Sequence, residues 1–245
     1  IIERNAFVDS SIEYLSIPSS VEELDEEWCH DTPYLTQIKV MPNNKNFIFL
    51  DEKIILGKTL KDQKNYDIVI FAVRNIKTAI IPSFVKKIGP YSFEKCNHLS
   101  VIKIGIDSKL EIIDKYAFFA SSIERFFLPS SVIKICEGSF SKCGQFVGFQ
   151  ILTDSKLKTI EKEVFYGSSI EEITIPDSFI ELEDEWCIGT PKLNKIIVQP
   201  NNKHYTMYDD KFIIGRSSFI KDSFDVLGFS VRNIKIAIIP DFIKI

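Results

Sequence analysis

Histidine is scarce in this sequence: His30, His98 and His204 are the only three, at unrelated positions. None has a second ligand four residues away and no CxxC pair stands nearby, which argues against a zinc site. The five cysteines, at 29, 96, 136, 143 and 187, are an odd number and contain no CxxC, so a thioredoxin-type redox motif is also missing. No GxSxG, GxxxxGK[ST] or GxGxxG occurs, which removes the common signatures of acyl transfer, phosphate-loop and dinucleotide chemistry. No apolar run approaches the roughly 20 residues that span a bilayer, and the stretch 234–240 is broken by Lys235. Basic charge is not concentrated either. The 30 Lys and Arg are scattered among 34 Asp and Glu for a net charge of -4, without the basic stripe of a nucleic-acid binder. There is no N-x-[ST] sequon, no starting Met and no signal-peptide pattern. These absences predict no enzyme, no cofactor, no metal and no membrane segment in the chain.

What is present is repetition. Residues 1–87 align with 159–245 at one constant offset, without a gap, and about 41 of the 87 pairs are identical. IPSSVEELDEEWCHDTPYLTQIKVMPNN (17–44) answers to IPDSFIELEDEWCIGTPKLNKIIVQPNN (175–202). A shorter period lies inside the long one. Phe93, Phe118, Phe140 and Phe165 are spaced 25, 22 and 25 residues apart, and Cys187 follows 22 residues later in the Phe slot, as Cys29 does in the first copy. A unit of 22–25 residues falls in the leucine-rich-repeat range. From Cys29 to Phe93 the rhythm stretches, because an insert at about 42–72 interrupts it, with a counterpart at about 200–230.

Each unit reads as a short strand, a turn and a return. In SSIEYLSIPSSV, Leu15 and Ile17 alternate with Ser16, the period of a strand with one buried face. Pro18 ends it, having no N–H to give a ladder. One such unit cannot bury its own apolar face, so neighbouring units must stack, each strand beside the next copy of itself in a parallel sheet. Residues 1–245 are therefore expected to form a single solenoid, a fragment of a longer array, beginning and stopping inside repeats. Terminal repeats normally carry polar caps. The apolar faces near Phe7 and near Ile238, Ile239 and Ile245 are expected to be partly open, with end-to-end self-association as a consequence.

IPSFVKKIGPYSFEKCNHL, residues 81–99, resembles the BspA-like, Treponema-type leucine-rich repeat of bacterial surface proteins and of protists such as trichomonads. The resemblance covers essentially the whole chain. It implies a curved horseshoe with a parallel concave sheet and short strands, turns or 3-10 segments on the convex side. More loosely, it implies cell-surface or secreted location and adhesion. The chain departs from the pattern at Cys29 and Cys187, in the Phe slot, and at the two DSKL stretches, 107–110 and 154–157, where IPxxV is expected.

Repetition also assigns blander roles to the polar clusters. Ser10-Ser11, Ser121-Ser122 and Ser168-Ser169 recur with the unit and read as turn hydroxyls bonding nearby backbone. The acidic runs 22–27 and 181–185 lack the glycine of a calcium loop and read as a solvated face before buried Trp28 and Trp186. Asp51-Glu52 and Asp209-Asp210 read as hairpin turns. The equivalent cysteine pairs, Cys29 with Cys187 and Cys96 with Cys143, read as small buried thiols.

The positions that vary between units are the strand residues alternating with the buried ones. Tyr14, Lys39, Ile80, Val101, Lys103, Arg125, Phe127, Gln150, Glu172, Lys195 and Ile197 are the candidate binding residues on the concave side. Ser16, Gln37, Thr78, Gly148, Thr174, Ile236 and Ile238 complete the stripe. Arg125 and Phe127 are the expected hot spot, because Arg and aromatics concentrate binding energy. The functional expectation is a recognition module binding a protein or glycan of host cells or matrix. The alternative is an intracellular interaction scaffold or structural spacer, which unpaired cysteines favour.

Overall fold

The computed structural model describes residues 1–216 and 223–243. Nineteen strands and no helix appear among them. The first two full turns contribute β1 (Tyr14–Ile17) and β2 (Gln37–Val40). The first insert forms β3 (Ile48–Leu50), β4 (Ile54–Gly57) and β5 (Ile68–Ala72). Long and short strands then alternate: β6 (Thr78–Ile81), β7 (Lys87–Ile88), β8 (Val101–Ile104), β9 (Ile112–Ile113), β10 (Arg125–Leu128) and β11 (Lys134–Ile135). The alternation continues with β12 (Gly148–Ile151), β13 (Thr159–Ile160), β14 (Glu172–Ile175), β15 (Glu181–Leu182) and β16 (Lys195–Val198). The second insert supplies β17 (Tyr205–Tyr208), β18 (Phe212–Gly215) and β19 (Val226–Ser230).

The chain is a β-solenoid with two faces. On one, long strands pair in parallel with matched repeat positions opposite each other, such as Ile80 with Lys103 and Glu172 with Lys195. On the other, the two-residue strands form one continuous ladder, β15-β13-β11-β9-β7, which the first insert extends through β5, β4 and β3. The sequence predicts each long strand pairing with the next. Instead they pair two by two: β1-β2, β6-β8, β10-β12 and β14-β16. The breaks after β8 and β12 fall where DSKL replaces IPxxV. In those turns the chain takes 11 residues from long-strand start to short-strand start (101 to 112, 148 to 159), against 9 elsewhere (78 to 87, 125 to 134). The longer turn is pinned by its own serine, Ser108 Oγ accepting from Leu110 N and Ser155 Oγ from Leu157 N.

Between the faces runs an aromatic column. Phe93, Phe118 and Phe140 are fully buried and stack at 5.0 Å steps. Phe165 continues the column, 6.4 Å from Phe140. At the turns where Cys holds the Phe slot, the preceding Trp supplies the ring. Trp186 meets Phe165 edge-on at 6.1 Å, and Trp28 meets Phe7 in the same way. The inserts join the same core, Phe71 lying 5.7 Å from Trp28 and Phe229 5.3 Å from Trp186. Around each slot the backbone turns sharply. Residues two before and two after have positive φ: Tyr91 and Lys95 around Phe93, Tyr116 and Ala120 around Phe118, Gly138 and Lys142 around Phe140.

The hairpin turns fall where expected. Asp51 and Glu52, with φ 51 and 54, join β3 to β4, and Asp209 and Asp210 join β17 to β18. Two positive φ values in succession give the type I′ geometry that matches strand twist. In two of the three serine pairs the second hydroxyl bonds backbone as expected, but in the neighbouring turn. Ser122 Oγ donates to Asn97 O at 2.9 Å and Ser169 Oγ to Gly144 O at 2.7 Å. They bridge to the preceding turn rather than closing their own. At the ends, Phe7 is half-buried against Trp28, and Ile236 and Ile238 are exposed. Ile245 lies outside the described residues.

Candidate functional site: the long-strand face

Alternation places two columns of side chains on the solvent side of the long strands. One column runs Tyr14, Gln37, Thr78, Val101, Arg125, Gly148, Glu172, Lys195, and the other Ser16, Lys39, Ile80, Lys103, Phe127, Gln150, Thr174, Ile197. Their strand neighbours face inward: Ile17, Ala79, Ile81, Phe126, Leu128, Ile173 and Ile175 are buried. Within each strand pair the parallel register has no slip, which sets the two members of a column opposite each other.

The candidate residues all lie on this side, with unequal exposure. Ile80, Tyr14, Val101 and Ile197 are the most open apolar groups, at 59%, 52%, 41% and 41%. Lys39, Lys103, Arg125, Gln150 and Lys195 are exposed, while Phe127 and Glu172 are half-buried. Gly148, in the stripe by alignment, is buried, because it has no side chain to project and the Glu172 carbonyl oxygen approaches to 3.1 Å of where a Cβ would stand. Arg125 is thus paired across the strands with a residue that projects no side chain.

Cations outnumber anions here. Lys39, Lys103, Arg125 and Lys195 share the columns with Glu172 alone, and Glu172 is paired with Lys195 at 3.0 Å. An exposed pair of this kind contributes at most about 1 kcal/mol. Lys103 and Arg125 sit on the adjacent strands β8 and β10, flanked by Val101 and Phe127. Tyr14 and Lys39 are set apart, since the three-stranded insert β3–β5 stands between β2 and β6 in the chain.

A second polar cluster escaped sequence reasoning. Glu94 is fully buried. Its carboxylate accepts from Asp31 N at 2.9 Å, meets His30 Nδ1 at 3.0 Å, and lies 3.8 Å from Arg74 Nη2. Arg74 is itself buried, stacks on Phe71 at 4.3 Å and donates to the Tyr91 and Ser92 carbonyls. Lys95 pairs with Asp31 beside them. The Glu94 bond holds the His30 pKa above its ordinary value, against the opposing effect of burial. Partners 63 and 64 residues apart leave no local spacing to detect. The one available signal was the recurrence of Arg74 as Arg232 in VRNIK, each stacked on its own insert phenylalanine.

The acidic run 22–27 is also more engaged than a solvated face. Glu23 pairs with Lys61, Glu26 and Glu27 with Lys115, and Glu27 with Arg4. Among the described residues no three His, Cys, Asp or Glu side chains converge as metal ligands, and no helix is long and apolar enough to cross a membrane.

The solenoid is similar to several solved structures. The pneumococcal vaccine antigen PcpA superposes with a TM-score of 0.56 at 19% identity, over 70% of this chain and 54% of that one. The chain thus spans about half the length of that relative. A leucine-rich repeat protein of T. pallidum matches at 19% identity and TM-score 0.46, over 64% of this chain and 70% of that one. A leucine-rich cell surface protein of Faecalibacterium prausnitzii matches at 15% identity and TM-score 0.43, over 70% and 56%. No curated protein sequence matches significantly. The model of the BspA type leucine rich repeat region matches in six copies over residues 1–56 and 67–194. With most of its length accounted for by that repeat, the chain belongs to the BspA type leucine rich repeat family.

Proposed function

We propose that this chain is a non-enzymatic recognition module that binds a protein or glycan partner through its long-strand face, the concave face of a leucine-rich horseshoe, as part of a surface-displayed adhesin. The observation that carries the reading is the outward side of the long strands, where open apolar groups (Tyr14, Ile80, Val101, Ile197) stand among Lys39, Lys103, Arg125 and Lys195. Exposed apolar groups in a contiguous row with polar surroundings are typical of interaction surfaces. Likeness to a vaccine antigen supports display at a cell surface. Ile236 and Ile238, open beyond the last long strand, support end-to-end self-association of the same module, which concentration-dependent sedimentation tests.

The experiment for the main reading is surface labelling of intact cells carrying the full-length protein, followed by adhesion assays with Arg125→Ala and Phe127→Ala. Labelling without permeabilisation and a loss of adhesion of about tenfold or more, the scale of a hot-spot residue, are expected. The five unpaired thiols favour the competing reading, an internal scaffold. Labelling only after permeabilisation would establish it and end the adhesin reading.

A further inference from the structure

The short-strand ladder is closed by the same backbone bonds at each step. Asp114 N donates to Ile88 O, Cys136 N to Ile113 O, Glu161 N to Ile135 O and Glu183 N to Ile160 O. At the turn that carries Glu22–Asp25 this stops. Leu24 bridges back to Ile2, but forward, toward the first insert, the carbonyls of Glu22 and Leu24 and the N–H of Leu24 have no partner among the described residues. The insert does not close the gap. Its strand β5 is a rung for the following turn, Asp67 O and Val69 O accepting from Lys87 N and Gly89 N, and its other edge is taken by β4 of the same insert, not by Glu22–Leu24. Between the unpaired rung and the insert lies a cleft of about 270 Å³. Leu24, Phe47, Ile68 and Ile70 give it apolar walls, and Lys58 and Lys61 edge it opposite the carboxylates.

The second copy shows what the open rung requires. Its equivalent N–H, on Leu182, donates to the Tyr205 hydroxyl at 3.0 Å. Tyr205 corresponds to Phe47, which has no hydroxyl to offer. The same cleft recurs there, lined by Leu182, Glu183, Tyr205, Arg216 and Val226.

We propose that the first cleft is a β-augmentation site, in which an extended peptide of a partner protein, bearing a lysine–aliphatic pair, adds as the missing rung on Glu22–Leu24. Extended peptides bind open sheet edges through main-chain hydrogen bonds, with side-chain pockets giving selectivity. The occupant's chemistry follows from the ladder's own rungs and from charge. Two of the five rungs, Lys87-Ile88 and Lys134-Ile135, carry such a pair, their lysines meeting Asp114 and Glu161 of the adjoining turn. In the cleft, Glu23 already holds a cation, Lys61 Nζ, at 3.2 Å, and Glu22, Asp25, Glu26 and Glu27 line the same edge. This site is separate from the long-strand face and does not depend on it.

The probe is a fluorescent heptapeptide, VKKIGPY, titrated into the full chain by anisotropy, with hydrogen exchange of the Leu24 amide followed in parallel. Saturable binding and slowed Leu24 exchange are expected. Phe47→Tyr supplies the hydroxyl that takes up the rung N–H in the second copy, at a position where that copy accepts tyrosine, and should weaken binding about tenfold. Tyr205→Phe should free Leu182 N–H and add a second binding event. Arg125→Ala should leave peptide binding unchanged. No binding up to about 1 mM, the weak limit of useful affinity, overturns the proposal. So does binding that Phe47→Tyr leaves untouched while Tyr205→Phe adds nothing.

Discussion

His30 Nδ1 lies 3.0 Å from Glu94 Oε1, and 64 residues of chain, including a whole three-stranded insert, separate the two. The turn before the insert is thereby tied to the turn after it. The bond raises the His30 pKa above its ordinary 6.5. A histidine that gains a partner on folding stabilises the fold fully below its unfolded pKa, and the contribution is lost as pH rises through the higher folded value. Urea unfolding midpoints of wild type should therefore fall as pH rises from the ordinary histidine value of about 6.5 through the higher folded value. In His30→Gln that slope should flatten. A variant whose midpoint tracks the wild type at every pH would disprove the coupling.

Glu94 matters more than His30, because its other partner has no route to water. Arg74 and Glu94 side chains are each 1% exposed. Removing one member of a buried ion pair leaves the other charge uncompensated, at about 3–5 kcal/mol. Glu94→Ala should lose stability of this size, several times the loss in His30→Ala, where the partly exposed ring leaves the Arg74 pair intact. Equilibrium denaturation of both variants at pH 7 checks the ranking.

The turns around the aromatic column hold strain that can be released. Ala120, two residues after Phe118, has φ 54, while Gly167 takes the same place after Phe165 with φ 65. A left-handed conformation costs an L-residue about 1–2 kcal/mol, partly offset because glycine loses more chain entropy on folding. Ala120→Gly should raise stability by about 0.5–1 kcal/mol. Gly167→Ala should lower it by about 1 kcal/mol, although a Cβ there would meet only Lys142, at 3.9 Å. Opposite signs for the two substitutions in thermal melts identify the backbone, rather than packing, as the cause.

That pair also shows where sequence reasoning stopped. Phe118 and Phe165 were legible as equivalent, because a core slot accepts few residue types and so repeats visibly. The left-handed positions beside them were not. Ala120, Lys95 and Lys142 share a backbone conformation without sharing a side chain, and only Gly138, Gly167 and Gly189 hinted at it. Long-strand alternation was read from Leu15 and Ile17 and holds along the face. The pairing of strands two by two was not foreseen, since it depends on turn length after β8 and β12 rather than on the strands. The candidate residues were found as a varying stripe, whereas the buried clasp of Arg74, Glu94 and His30 was not, because ion pairs across an insert leave no period. Cys29 and Cys187 were placed in the aromatic slot correctly by position, but the ring that fills the column comes from Trp28 and Trp186, one residue earlier, a displacement that only the packing shows.

The five thiols should be inert in the folded state. All are free and buried. Burial pushes every one upward: Cys96 to about 11, Cys136, Cys143 and Cys187 to about 12, and Cys29 further still. The neighbouring guanidiniums act the other way at Cys29, Cys96 and Cys187, but desolvation outweighs them. Since the thiolate is the reactive form, a disulfide-exchange reagent at pH 8 should titrate almost no thiol in native protein and all five in urea. Reaction of the native thiols should then follow the opening of the turn that holds each one. Cys143, packed beneath Ser121 and donating to Phe118 O at 2.9 Å, should be among the last to react. Cys187 should react earlier, because its sulfur accepts from Arg232 Nη2 only at a long 3.8 Å. Rapid stoichiometric labelling of native Cys143 would contradict the tight packing of the central turns.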